Sequence, residues 1–131
     1  MAAEISRDYR EIQRPLILLP VLKGSVCFAT DLSRHLEVPV NFDYVAVSSY
    51  GAATVSSGHV QLLKDLTMDV AGRDVLMVED IIDTGLTTSF LFEHVQRHRP
   101  ASLKLCVLLN KEERRVTPVP IAYKGDRKSV V

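Results

Sequence analysis

The sequence predicts an α/β domain with a central, mainly parallel sheet flanked by helices. Three observations predict it. Short runs that are apolar throughout recur along the chain, as strands buried on both faces require. Stretches with apolar residues at helical spacing lie between them. The 131 residues, 47% hydrophobic and 24% charged, suffice for one domain with a substantial core, so residues 1–131 are expected to form a single domain.

The elements follow in order. A short helical stub precedes the first strand, LILLPVL (residues 16–22). VCFATDLSRHL (26–36) comes next, with Phe28, Leu32 and Leu36 at helical spacing. VNFDYVAVSS (40–49) reads as the second strand, DVLMV (74–78) as the third, LKLCVLL (103–109) as the fourth and PIAY (120–123) as a fifth. TTSFLFEHVQRHR (87–99) places Leu91 and Val95 on one helical face between the third and fourth. Such alternation means parallel strands joined by crossovers. SSYGAATVSSGHV (48–60) is small, polar and glycine-bearing, and reads as a long exposed hairpin or flexible flap.

Composition excludes several classes. Sixteen basic residues balance sixteen acidic ones, so no global basic field exists to hold nucleic acid. No apolar run approaches the roughly 18 residues of a membrane span, and MAAEISRDYR lacks a signal-peptide pattern. The expected protein is soluble and cytoplasmic, with small-molecule substrates and neither nucleic acid nor membrane as partner. Cys27 and Cys106 lie in apolar surroundings and read as buried, reduced thiols. His94 and His98 are four residues apart on the predicted helix, but with no further ligand beside them they are not read as a metal site.

LMVEDIIDTGLTTSF (76–90) is the segment that bears chemistry. Ligands of parallel sheets bind beyond the carboxyl ends of the strands, which places residues 79–88 in a site. Gly85 permits a tight turn, Thr84, Thr87 and Thr88 bring hydroxyls, and the unpaired N–H groups of the next helix favour an anion. Carboxylates would repel a phosphate unless they meet other parts of the ligand. Glu79 and Asp80 can accept hydrogen bonds from paired hydroxyls or hold a divalent cation, and Asp83 can take a proton. The competing reading is a solvated acidic loop that caps the helix. Neither a G-x-x-x-x-G-K-[ST] nor a G-x-G-x-x-G pattern occurs.

LMVEDIIDTGLT resembles the phosphoribosyl-pyrophosphate (PRPP) signature of type I phosphoribosyltransferases. VLKGS (21–25), FDYVAVSSYG (42–51), SSGHVQLLKDL (56–66) and LLNKEERR (108–115) extend the resemblance to the hypoxanthine-guanine phosphoribosyltransferases, in order and spacing, over nearly the whole chain. The resemblance implies the type I phosphoribosyltransferase fold and purine salvage: ribose 5-phosphate passes from PRPP to hypoxanthine or guanine, with Mg2+, giving IMP or GMP and pyrophosphate. It also implies a homo-oligomer, a dimer or tetramer.

By the same resemblance, Glu79 and Asp80 would meet the ribose hydroxyls or the metal, and Asp83 would be the general base. Asp83, Thr84, Gly85, Leu86 and Thr87 would wrap the 5-phosphate. Leu22, Lys23 and Gly24 would form the pyrophosphate loop, with a cis peptide before Lys23. Lys111 would read the exocyclic oxygen of the purine, Arg115 would help hold pyrophosphate, and Ser49 and Tyr50 would close over the reacting centre. Family members continue past YKG with an aromatic residue that stacks on the purine and an acidic metal ligand. This chain has DRKSVV there, and its N-terminal helices are shortened. The sugar-phosphate half of the site is therefore expected to be complete and the base half not. A non-catalytic PRPP- or nucleotide-binding module is the alternative from another class. A regulator that binds RNA fits the balanced charge and Lys111 less well.

Overall fold

The structure is a computed structural model that describes residues 1–49 and 60–125. Five parallel strands form the main sheet in the order β2-β1-β5-β6-β7. They are β1 (Leu16–Pro20), β2 (Val40–Phe42), β5 (Asp74–Ile82), β6 (Ser102–Asn110) and β7 (Ile121–Lys124). β3 (Ala46–Ser49) and β4 (Val60–Lys64) pair antiparallel beside it. The helices are α1 (Ala2–Asp8), α2 (Val26–His35) and α3 (Leu86–Gln96).

Strand alternation sorts the core into two layers. Leu16 and Leu18 of β1, with Leu76 and Val78 of β5, pack under α1 and α2 against Ile5, Phe28 and Leu32. Ile17 and Leu19, with Val75 and Met77, pack under α3 against Leu91 and Val95. Apolar residues at consecutive positions are thus both buried, as the uninterrupted runs require. The chain leaves β1 toward β2 on one side and β5 toward β6 on the other. The order of the strands therefore reverses between β1 and β5, where an open α/β sheet forms a crevice at its carboxyl edge.

Four readings of the sequence are corrected. Residues 40–49 are not one strand: β2 ends at Phe42 and the chain leaves the main sheet to form β3. Asp43 makes the break. Its buried carboxylate accepts the N–H groups of Tyr44, Thr67 and Met68 and the Thr67 hydroxyl, at 2.8–2.9 Å. Burial alone would raise its pKa, and these donors outweigh it and hold the carboxyl below its ordinary value. The third strand does not stop at Val78 but runs on to Ile82. β4 is a strand that the sequence pattern does not mark, although its pairing with β3 is hairpin-like; residues 50–59, and the flap expected there, lie outside the described residues. Finally, Cys27 is exposed whereas Cys106 is buried. On α2 the buried face is Phe28, Ala29 and Leu32, and Cys27 falls on the opposite side with Asp31 and Arg34.

Candidate active site

The extra length of β5 builds the site. β1 pairs with β5 only as far as Pro20 opposite Val78, while β6 continues alongside through Ile82 opposite Asn110. Residues 79–82 are thus paired on one edge and overhang the end of β1 on the other. A cleft of about 280 Å3 opens there, lined by Leu22, Glu79, Asp80, Asp83, Thr84, Gly85 and Thr87, together with Val21, Val47, Ile81 and Thr88. Seven residues that the resemblance assigns to the site therefore meet in one cleft, with Thr88 beside them.

Because Glu79 and Asp80 lie in a strand rather than a loop, their side chains point to opposite faces. Glu79 turns toward α3 and accepts a 3.1 Å hydrogen bond from the buried Thr88 hydroxyl. Burial pushes its carboxyl up to about 8, a rise moderated by Thr88 and reinforced by the neighbouring Asp80 charge. Asp80 turns toward the turn between β1 and α2, with one carboxylate oxygen accepting the Ile81 N–H at 2.8 Å. The other oxygen lies where a Cβ on Gly24 would collide with it. Glycine there leaves room for the Asp80 carboxylate in its present position. Leu22 and Lys23 are joined by a cis peptide bond, as the resemblance implies, and Lys23 is exposed beside the cleft.

Gly85 is the N-cap of α3, with φ 88°, and no side chain caps the helix. The acidic-loop reading, in which Asp or Thr supplies the N-cap, therefore does not describe this turn; beyond the contact of the Leu86 N–H with Thr84, the helix end opens to an anion. Leu86 begins the helix, its N–H 3.4 Å from the Thr84 hydroxyl. The Thr84 carbonyl accepts the N–H groups of Val116 and Thr117 at 2.8 and 3.1 Å. A Cβ on Gly85 would strike the Thr117 carbonyl oxygen. Residues 115–117 thus pack behind this turn, a contact that the sequence did not signal.

Asp83 faces the cleft and forms an ion pair with Arg114 at 2.8 Å. The guanidinium N–H is not aimed at the oxygen, so Asp83 Oδ1 has charge compensation without an aligned donor. Arg115 donates from Nε to the Asp83 carbonyl at 3.1 Å and from its other arm to the Asn110 side chain. Lys111 is held next to β5 by its N–H on the Ile82 carbonyl, at 2.9 Å. Its side chain belongs to a second cleft of about 560 Å3, which Leu108, Asn110, Lys124 and Gly125 also line. Lys111 therefore lines this second cleft and not the carboxylate cleft. Ser49 ends β3, and Tyr50 lies outside the described residues.

A family model for the phosphoribosyl transferase domain matches residues 1–130. The hypoxanthine-guanine phosphoribosyltransferase of Mycobacterium tuberculosis is 48% identical over 129 residues, covering 95% of this chain and 64% of that protein. The Dictyostelium discoideum enzyme of the same name is 40% identical over 128 residues, covering 95% and 71%. A crystal structure of a Bacillus anthracis hypoxanthine-guanine phosphoribosyltransferase, with a HEPES molecule in its active site, superposes with a TM-score of 0.88. It is 44% identical, and the match covers 95% of this chain and 72% of that one. The chain thus spans just under two thirds of the length of its mycobacterial relatives.

Proposed function

The chain belongs to the phosphoribosyltransferase family, and we propose that it transfers ribose 5-phosphate from PRPP to hypoxanthine or guanine, forming IMP or GMP and releasing pyrophosphate. The observation that carries this reading is the uncapped N-terminus of α3 opening, through Gly85, into a cleft floored by Glu79 and Asp80. An anion-binding helix end beside two carboxylates suits a ligand that is a phosphate at one end and a polyol at the other.

In this reading the 5-phosphate sits on the turn formed by Asp83, Thr84, Gly85, Leu86 and Thr87, bound by main-chain N–H groups and threonine hydroxyls. Asp80 and Glu79 receive the ribose hydroxyls from the two sides of β5. As the bond to pyrophosphate breaks, positive charge develops on the sugar, and the Asp80 carboxylate stabilises it, joined by Glu79 in its ionised form. Lys23 and Arg115 favour the departing anion. Asp83 accepts the proton from the purine ring nitrogen as the new bond forms; for this its pairing with Arg114 must yield to the base. Lys111, approaching from the second cleft, donates to the exocyclic oxygen of a 6-oxopurine, which adenine lacks.

Glu79 and Asp80 fit Mg2+, since both are oxygen donors and no cation among the described residues pairs with the buried Glu79 carboxyl. Bound with the substrate phosphates, Mg2+ would supply charge neutralisation. As an assembly we propose a homo-oligomer. No helix among the described residues is long and apolar enough to cross a membrane.

Nucleotide formation from PRPP, Mg2+ and each of hypoxanthine, guanine and adenine tests the proposal, with Asp83→Asn alongside. The expected result is turnover of 6-oxopurines alone, falling about 10²–10⁴-fold in the variant, as loss of a general base does. PRPP binding without turnover in the folded protein would replace the transferase with a binding module.

A further inference from the structure

The sequence offers His94 and His98 as an isolated pair, but the fold brings a third donor to them. Asp65, the residue after β4, meets the end of α3, so that one ligand atom from each of Asp65, His94 and His98 lies within 4.8 Å of the others. We propose that these three side chains form a binding site for a divalent transition-metal ion of the zinc class, outside the substrate clefts.

The hydrogen bonds around the cluster orient its donors for a metal. His98 Nδ1 lies 3.0 Å from the His94 carbonyl. A carbonyl only accepts, so Nδ1 carries the hydrogen, and in the neutral ring Nε2 keeps a bare lone pair. A ligating histidine ordinarily has its second nitrogen tied in this way. His94 Nε2 lies 2.7 Å from Asp65 Oδ1, which also accepts the Leu66 N–H at 2.7 Å. The His94 ring is stacked on Phe90 with their planes 9° apart, and edge-on to His98 with centroids separated by 5.1 Å. Its plane is thereby fixed before any ion arrives. The i, i+4 spacing keeps both rings on one side of the helix end.

Binding replaces the His94–Asp65 hydrogen bond. Neutral His94 moves its ring hydrogen from Nε2 to Nδ1 by exchange with solvent, with no net change in protons, and the freed Nε2 lone pair, the His98 Nε2 lone pair and an Asp65 oxygen bond the ion. Water completes the coordination, since Asp65 and His98 are exposed. Two imidazoles and one carboxylate favour Zn2+, Ni2+ or Cu2+ over Mg2+, which prefers an all-oxygen environment such as Glu79 and Asp80. One chain would thus hold two metals of different class. The second would clasp β4 to α3, linking segments 29 residues apart in sequence.

Calorimetric titration of the whole chain with ZnCl2 at pH 8 tests this, in a Cys27→Ser background and in excess Mg2+. That background removes the exposed thiol, and the Mg2+ saturates the carboxylate cleft. One equivalent of Zn2+ should bind. Thermal unfolding should move upward. Losing an outer partner of a ligand costs about 10–100-fold in affinity, so His98→Gln and Asp65→Asn, which remove ligands, should each cost at least as much. Absence of stoichiometric binding, or binding that both variants leave unchanged, would overturn the proposal.

Discussion

The two clefts at the carboxyl edge of the sheet are built differently. The smaller is cut into the core: Glu79, Gly85 and Thr88 are buried, and the same strand that lines it carries Val75 through Val78 into the two apolar layers. The larger lies on the surface, where Lys111, Glu112, Glu113 and Lys124 are exposed and Leu109 retains 48% of its accessible surface. A site cut into the core contributes to, or subtracts from, the stability of the whole domain. One laid on the surface can change with little effect on the fold. Substitutions in the two clefts should therefore separate cleanly in a stability measurement.

Glu79→Gln should show the largest effect, and it should stabilise. The folded-state pKa of Glu79, about 8, lies above its ordinary 4.5, so the folded protein holds a proton that the unfolded chain has lost. Stability from this group is complete below pH 4.5 and is lost as pH rises toward 8. The amide removes that loss, and the gain should be on the order of 4 kcal/mol at pH 8 and vanish at pH 4. Urea unfolding at the two pH values measures it, and PRPP turnover should fall in the same variant.

Gly85→Ala should destabilise by about 1–3 kcal/mol, because the side chain enters the left-handed region and meets Thr117. Denaturant titration gives the loss, and weakened PRPP binding should accompany it. Arg115→Ala removes the hydrogen bond to the Asp83 carbonyl and should cost about 1 kcal/mol. Lys111→Ala should lie within about 0.5 kcal/mol of the parent, as exposed positions do, while KM for hypoxanthine rises. A Lys111 variant that melts well below the parent would erase the contrast between the clefts.

The legibility of the sequence follows the same division. The apolar runs gave the main-sheet strands and two helices because burial on both faces leaves a local pattern. The order Glu79-Asp80-Ile81-Ile82-Asp83 looked like a loop because three carboxylates seldom end a buried strand. Only pairing with β6, more than twenty residues away, shows that the first four residues remain in the sheet. Asp43 was a visible signal, a lone acid within an apolar run, but three of the four donors it satisfies come from Thr67 and Met68 in a distant segment. The packing of residues 115–117 behind Thr84 and the meeting of Asp65 with His94 are likewise non-local. The motif located the chemistry, while the contacts that shape it come from parts of the chain that no motif spans.

The central position of β5 has a consequence during synthesis. β1 leaves the ribosome with only the three-residue β2 to pair against; its open edge awaits β5 roughly 60 residues downstream, and Ile17 and Leu19 await the apolar layer formed there. At about 5–20 residues per second, that interval lasts on the order of 3–12 s. For those seconds the nascent chain presents LILLP as an unpaired sheet edge, a natural place for a chaperone to hold it until β5 arrives.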